Sequence, residues 1–118
     1  TAAGLQAGHR VSMPVADRNR TIADGLRSEP SALTFAHLQQ VLAGVLTVTE
    51  DEIRSAVREL TFKAQLVSEP SGAVALAAYR RHPLPPGPTV IILSGGNVEP
   101  ALLRDILFDQ SAAEDQRH

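Results

Sequence analysis

The run SGAVALAAY, residues 71–79, is small or apolar on every side of a helix drawn through it. A helix of that kind needs neighbours on several faces. Pro70 stands before it, where a missing N–H costs nothing because the first helical amides have no partner inside the helix. HPLPPGP, residues 82–88, ends it, since prolines at that density cannot carry helical hydrogen bonds.

The flanking segments show what those neighbours are expected to be. Between Ala32 and Leu42, the residues Phe35, Leu38 and Leu42 recur at helical spacing, with Leu33 and Val41 beside them. Thr49 and Glu52 form a capping box ahead of a helix whose Ile53, Val57, Leu60 and Ala64 share a face. A last helix is expected over 100–108, with Leu102, Leu103, Ile106 and Leu107 inward and a polar tail behind. Residues 1–7 read as the end of a helix stopped by Gly8. VSMPV at 11–15 reads as an extended connection, because its Pro excludes a central strand, and TIADGLRSEPSA reads mainly as loop.

Two short β-branched runs, GVLTV at 44–48 and TVIIL at 89–93, interrupt the helices and read as buried strands. Alternation of this sort predicts an α/β fold, a partial parallel sheet flanked by helices. At 118 residues the chain is one domain or a piece of one, and without an initiator Met it is expected to be cut from a longer protein.

Composition removes several functions. A formal charge of -2 gives no attraction to phosphate backbones, so nucleic acid is not an expected partner. With no cysteine there is no disulfide, thiolate nucleophile or cysteine zinc site. His9, His37, His82 and His118 lack ligand spacing and read as surface residues, and metal is not expected. No apolar run is long enough to span a bilayer, and the opening residues do not form a signal peptide. A cytoplasmic setting without membrane contact is the expectation.

Chemistry concentrates where the second apolar run ends in SGGN, residues 94–97. In an open α/β sheet, ligands sit beyond the carboxyl ends of the strands, where Ser94 would stand and where Gly95 and Gly96 let the backbone approach closely. Asn97 can brace the turn through its side chain. Read alone, the four residues describe a plain strand-to-helix turn more readily than a ligand site.

Three segments taken together, TIADGLR at 21–27, LVSEPSGAVALAA at 66–78 and VIILSGGNVEP at 90–100, resemble in order and spacing the C-terminal part of threonine dehydratases and serine racemases. VLTVTEDEI at 45–53 is similar to the strand and capped helix those enzymes carry between the first two. The likeness spans nearly the whole chain. It implies a fold-type II, pyridoxal-phosphate-dependent enzyme acting on a small amino acid, with this chain forming part of the large domain over 1–118.

By that resemblance, Ser94 hydrogen-bonds the cofactor's pyridine nitrogen as a neutral partner, which favours loss of a β-hydroxyl. Gly95, Gly25 and Glu69 are implied as cofactor-binding, with Asp24 and Ser28 beside the substrate. Ser28 is similar in position to a serine that racemases hold near the substrate carboxylate. From the residues alone, Glu69 could instead cap the helix begun at Pro70, and Asp24-Gly25 could be an ordinary turn. The lysine, substrate loop and phosphate loop of such enzymes match no part of the chain, so no catalytic residue is expected within it. Lys63, the one lysine, reads as structural or solvent-facing. The expected activity is a threonine or serine dehydratase in a homo-oligomer. The alternatives are serine racemase, a free-standing α/β interaction module, or a subunit paired with a lysine-bearing chain.

Overall fold

The computed structural model describes residues 1–108. Six α-helices occupy them: α1 (Ala2–Ala7), α2 (Val15–Arg18), α3 (Ala32–Val41), α4 (Glu50–Lys63), α5 (Pro70–Arg81) and α6 (Pro100–Phe108), with a 3-10 turn at Asp24–Leu26. His118 and the polar tail from 109 onward lie outside the described residues.

Helix starts and stops follow local chemistry. Thr49 Oγ1 accepts the Glu52 amide at 3.3 Å while the Glu52 carboxylate accepts the Thr49 amide at 2.8 Å, so both halves of the capping box form at α4. Ser31 caps α3 by accepting the Thr34 amide at 3.1 Å. Gly8 closes α1 at a φ of 75°, which a side chain would resist. Residues 11–14 are irregular, and Val15 begins a short helix rather than ending an extended connection.

Helices α4, α5 and α6 build the core. Ala56, Val57 and Leu60 of α4 meet Ala73 and Ala77 of α5, and Ile106 of α6 closes the cluster with no exposed surface. The small α5 residues let the α4 backbone come close, which large side chains would prevent. Ala56, not the expected Ala64, completes the buried face of α4, since Ala64 falls at the helix end and is exposed. Leu102 and Leu103 pack at the cluster's edge. Helix α5 is covered mainly along the stripe of Gly72, Ala73 and Ala77, whereas Ala75 and Tyr79 are exposed.

The predicted strands are a point of difference. Residues 44–48 and 89–93 are not assigned to a strand, and no backbone hydrogen bond joins one to the other among the described residues. The physical reason is that a β-run is stable only against a paired neighbour, and neither run has one here. Most of their side chains lie open instead, with Val90 89% and Ile92 76% exposed, while Val48 packs at the edge of the core. Apolar surface thus remains uncovered.

Ion pairs tie α4 to its neighbours. Arg80 bonds both oxygens of Glu59, with Nε at 3.1 Å, and Arg81 Nε reaches Glu52 at 2.9 Å. The Arg80 hydrogen bond is the main cause holding the Glu59 carboxyl below its ordinary value of 4.5, and the Thr49 amide acts likewise on Glu52. A depressed carboxyl contributes stability that is complete above its unfolded value and fades as pH falls toward its folded one. Melting temperature should therefore drop as pH is lowered below 4.5, and Glu59→Gln should flatten that slope. Circular dichroism melts between neutral and acid pH give the comparison, and an unchanged slope would remove Glu59 from the account.

Helix α4 ends with the Leu66 amide donating to the Leu60 carbonyl at 2.9 Å, a closure one residue wider than a Schellman motif. The closure turns on Gln65 at a φ of 57°. A side chain there costs roughly 1–2 kcal/mol. Gln65→Gly relieves that strain but frees the unfolded chain, so the expected net gain is about 0.5–1 kcal/mol in denaturant unfolding. A loss would show that the Gln65 side chain makes a compensating contact.

Candidate functional site

Three segments distant in sequence converge on the N-terminus of α5. The loop at 21–27 is held first. The Ile22 amide donates to Glu50 Oε2 at 2.8 Å, and Arg27 Nη2 donates to the Thr21 carbonyl at 2.6 Å. With Ala23 buried at 1% exposure, the Asp24–Leu26 turn is presented toward α5. There the Gly25 amide donates to Ser71 Oγ at 2.9 Å, and Ser71 Oγ lies 3.3 Å from Asp24 Oδ1 as its donor. A Cβ on Gly25 would sit 3.0 Å from the Ser71 oxygen, so this glycine permits the close approach of the turn to the helix.

The second segment is Ser68-Glu69-Pro70. Glu69 is the N-cap residue of α5 by position, but its side chain accepts none of the helix's own amides. It turns instead to the third segment, where Glu69 Oε2 accepts the Asn97 amide at 3.2 Å. The Glu69 amide also donates to the Gly95 carbonyl at 3.3 Å. Of the two roles open in the sequence, side-chain capping is not what Glu69 does. Asn97 takes part through its main chain.

The Ser94–Asn97 loop therefore rides directly on α5. Gly95 has a φ of 83°, and a Cβ there would lie 2.5 Å from the Glu69 carboxyl group. Gly72 is tighter still. A Cβ on it would overlap the Ser94 carbonyl oxygen and sit 2.7 Å from Ser68 Oγ. Ser94 itself is exposed, and its hydroxyl makes no hydrogen bond among the described residues.

The structure thus brings together Asp24, Gly25, Glu69, Ser94 and Gly95. It does not bring in Ser28, which is exposed beyond the turn and makes no side-chain hydrogen bond among the described residues. Ser71 and Gly72 belong to the arrangement and went unnoticed in the sequence, where they read as small helical residues. The available signal was a glycine inside a helical pattern, one turn from its start, which commonly marks close packing. Lys63 is far from this constellation in role: its side chain is 76% exposed and pairs with Glu59 at 3.8 Å.

Electrostatically, the positive end of α5 already faces carboxylates of the chain itself, Glu69 at the cap position and Asp24 through Ser71. That end is not an open anion seat. What the arrangement offers a ligand is an unpaired neutral hydroxyl on a loop fixed by backbone contacts. Among the described residues, no cluster of three or more His, Asp or Glu is placed to hold a metal, and no helix is long and apolar enough to cross a membrane.

Comparison with known proteins shows the family of the chain. A serine racemase of Dictyostelium discoideum is 37% identical over 91 residues, which cover 74% of this chain and 28% of that protein. An L-threonine ammonia-lyase of Geobacter sulfurreducens is 39% identical over 98 residues, covering 80% of this chain and 24% of that protein. The crystal structure of a T.th. threonine deaminase superposes with a TM-score of 0.69 at 36% identity, over 83% of this chain and 36% of the other. The chain so spans about a quarter of the curated relatives it matches. The profile described as "Pyridoxal-phosphate dependent enzyme" matches residues 1–95, and the chain belongs to that family.

Proposed function

We propose that this chain is part of a pyridoxal-phosphate-dependent lyase that removes the β-hydroxyl of L-threonine or L-serine to give a 2-oxo acid and ammonia. The observation that carries the reading is the loop of Ser94, whose free hydroxyl stands on a backbone locked against Gly72 and Glu69. These residues fit the cofactor's ring edge: a hydroxyl with no internal partner can meet a ring nitrogen, and its carrier loop cannot easily drift. When bound, pyridoxal phosphate supplies the electron-withdrawing ring that labilises bonds at the amino acid's α-carbon.

The chain's own residues have limited, definable tasks. Ser94 hydrogen-bonds the ring nitrogen without a charge, so it does not hold a proton there and leaves the ring's pull moderate. Asp24 and Gly25 form the wall of the turn beside the ligand, and Ser71 keeps that wall against α5. Residues 44–48 and 89–93 pair as strands of a parallel sheet in the intact enzyme, a reading supported by their exposed apolar side chains. The same uncovered surface supports burial against further protein in a cytoplasmic homo-oligomer.

The test is an assay of the full-length protein loaded with cofactor. Release of 2-oxo acid and change of chirality are followed side by side for L-threonine, L-serine and D-serine. Steady 2-oxo acid from an L-substrate is expected. Interconversion of the serines with little 2-oxo acid would replace the lyase by a racemase, the reading to which Ser28 lends its sequence resemblance. Inertness toward all three would favour a non-catalytic module.

A further inference from the structure

We propose that Glu69 is a positioning residue, holding the Ser94 loop on α5 through a hydrogen bond and not through its charge. The inference rests on the reading of Ser94 given above for its catalytic consequence, but not for the contact itself. Glu69 touches the loop at three points. Its amide holds the Gly95 carbonyl at 3.3 Å, its Oε2 accepts the Asn97 amide at 3.2 Å, and its carboxyl group lies beneath the Gly95 Cα, where a Cβ would stand only 2.5 Å away.

These contacts fall on the left-handed glycine itself and on the residue two places after it. Gly95 at a φ of 83° is in the left-handed region that glycine enters freely, so the loop after it can swing unless something holds it. The Glu69 side chain holds it at Asn97. Because its carboxyl group is spent on the loop, it is not used as a helix cap, which explains why α5 begins with an acid in the cap position and no side-chain cap bond.

Hydrogen-bond geometry and charge can be separated at this residue. Glu69→Gln keeps an acceptor oxygen for the Asn97 amide and removes the charge, whereas Glu69→Ala removes both. The first readout is exchange of the Asn97 amide with solvent, followed by NMR on the full-length protein before cofactor is added. Loss of a hydrogen bond to a charged acceptor should speed that exchange roughly tenfold or more in Glu69→Ala and leave it within about twofold in Glu69→Gln. The second readout is the visible spectrum after loading with pyridoxal phosphate, expected to be parent-like for Gln and altered for Ala.

Unchanged Asn97 exchange in Glu69→Ala would overturn the proposal. So would a Glu69→Gln protein with protected Asn97 but the same altered spectrum as Ala, because its carboxylate would then act by charge. Should Ser94→Ala leave the spectrum untouched while Glu69→Ala still frees Asn97, the role given to Ser94 fails and the role of Glu69 in holding the loop stands.

Discussion

Gly72→Ala is expected to destabilise the protein by about 2 kcal/mol and to lower turnover by roughly tenfold, against the usual direction of such a change. In an ordinary helix interior the substitution gains about 1 kcal/mol, because alanine restricts the unfolded chain more. At Gly72 the added methyl would overlap the Ser94 carbonyl oxygen, a main-chain atom that cannot rotate out of the way alone. Either α5 or the Ser94 loop must move, and overpacking of this kind costs about 1–3 kcal/mol or more beyond the propensity gain. A shift of the loop also moves the Ser94 hydroxyl, hence the catalytic loss. Gly44→Ala is the control, since no heavy atom lies within 4 Å of its Cβ position. Denaturant unfolding and turnover of the two variants decide the matter, and equal behaviour would mean that the Ser94 loop does not rest on Gly72.

Substitution of Ser94 itself should separate two kinds of loss in the cofactor-loaded, full-length protein. Ser94→Ala deletes one neutral hydrogen bond, so turnover should fall by roughly tenfold or less while cofactor attachment, which depends on other groups, survives. Ser94→Asp should reduce 2-oxo acid formation further, by roughly a hundredfold. Its carboxylate would hold a proton on the ring nitrogen and strengthen the ring's electron withdrawal beyond what β-elimination uses. The visible spectrum should shift for both variants, further for Asp than for Ala. Parent-like rates and spectra in both variants would detach Ser94 from the ring nitrogen and leave SGGN as a turn.

How much of this was readable in the sequence depends on how local each cause is. Helix α4 was legible because Thr49 and Glu52 lie three residues apart and satisfy each other's amides, and α5 because Pro70 marks its start. The runs 44–48 and 89–93 were read as strands from β-branched residues alone, but strand hydrogen bonds belong to a partner segment, which the run itself does not specify. At the site, the resemblance pointed to Asp24, Gly25, Ser28, Glu69, Ser94 and Gly95, and all but Ser28 stand at the N-terminus of α5. The reason Gly72 must be glycine was hidden, because the atom that excludes a side chain belongs to Ser94 in another segment. Glu69 was ambiguous for the same cause: its partner, Asn97, is 28 residues away.

That separation has a kinetic consequence. Helices α4 and α5 are joined by residues 64–69 alone, and their pairing needs only a short loop to close. The Gly25–Ser71 contact spans 46 residues and the Glu69–Asn97 contact 28, so each forms against a larger loss of chain entropy. The α4–α5 pair should therefore dock early, presenting the α5 N-terminus as a template, and the Asp24 and Ser94 arms should fold onto it afterwards. In a refolding time course followed by pulsed hydrogen exchange, protection of the α4 and α5 amides would precede that of Gly25 and Asn97. Ligand competence would then be among the last properties the chain acquires, and any substitution that slows closure of either arm would prolong a state that is helical but cannot bind.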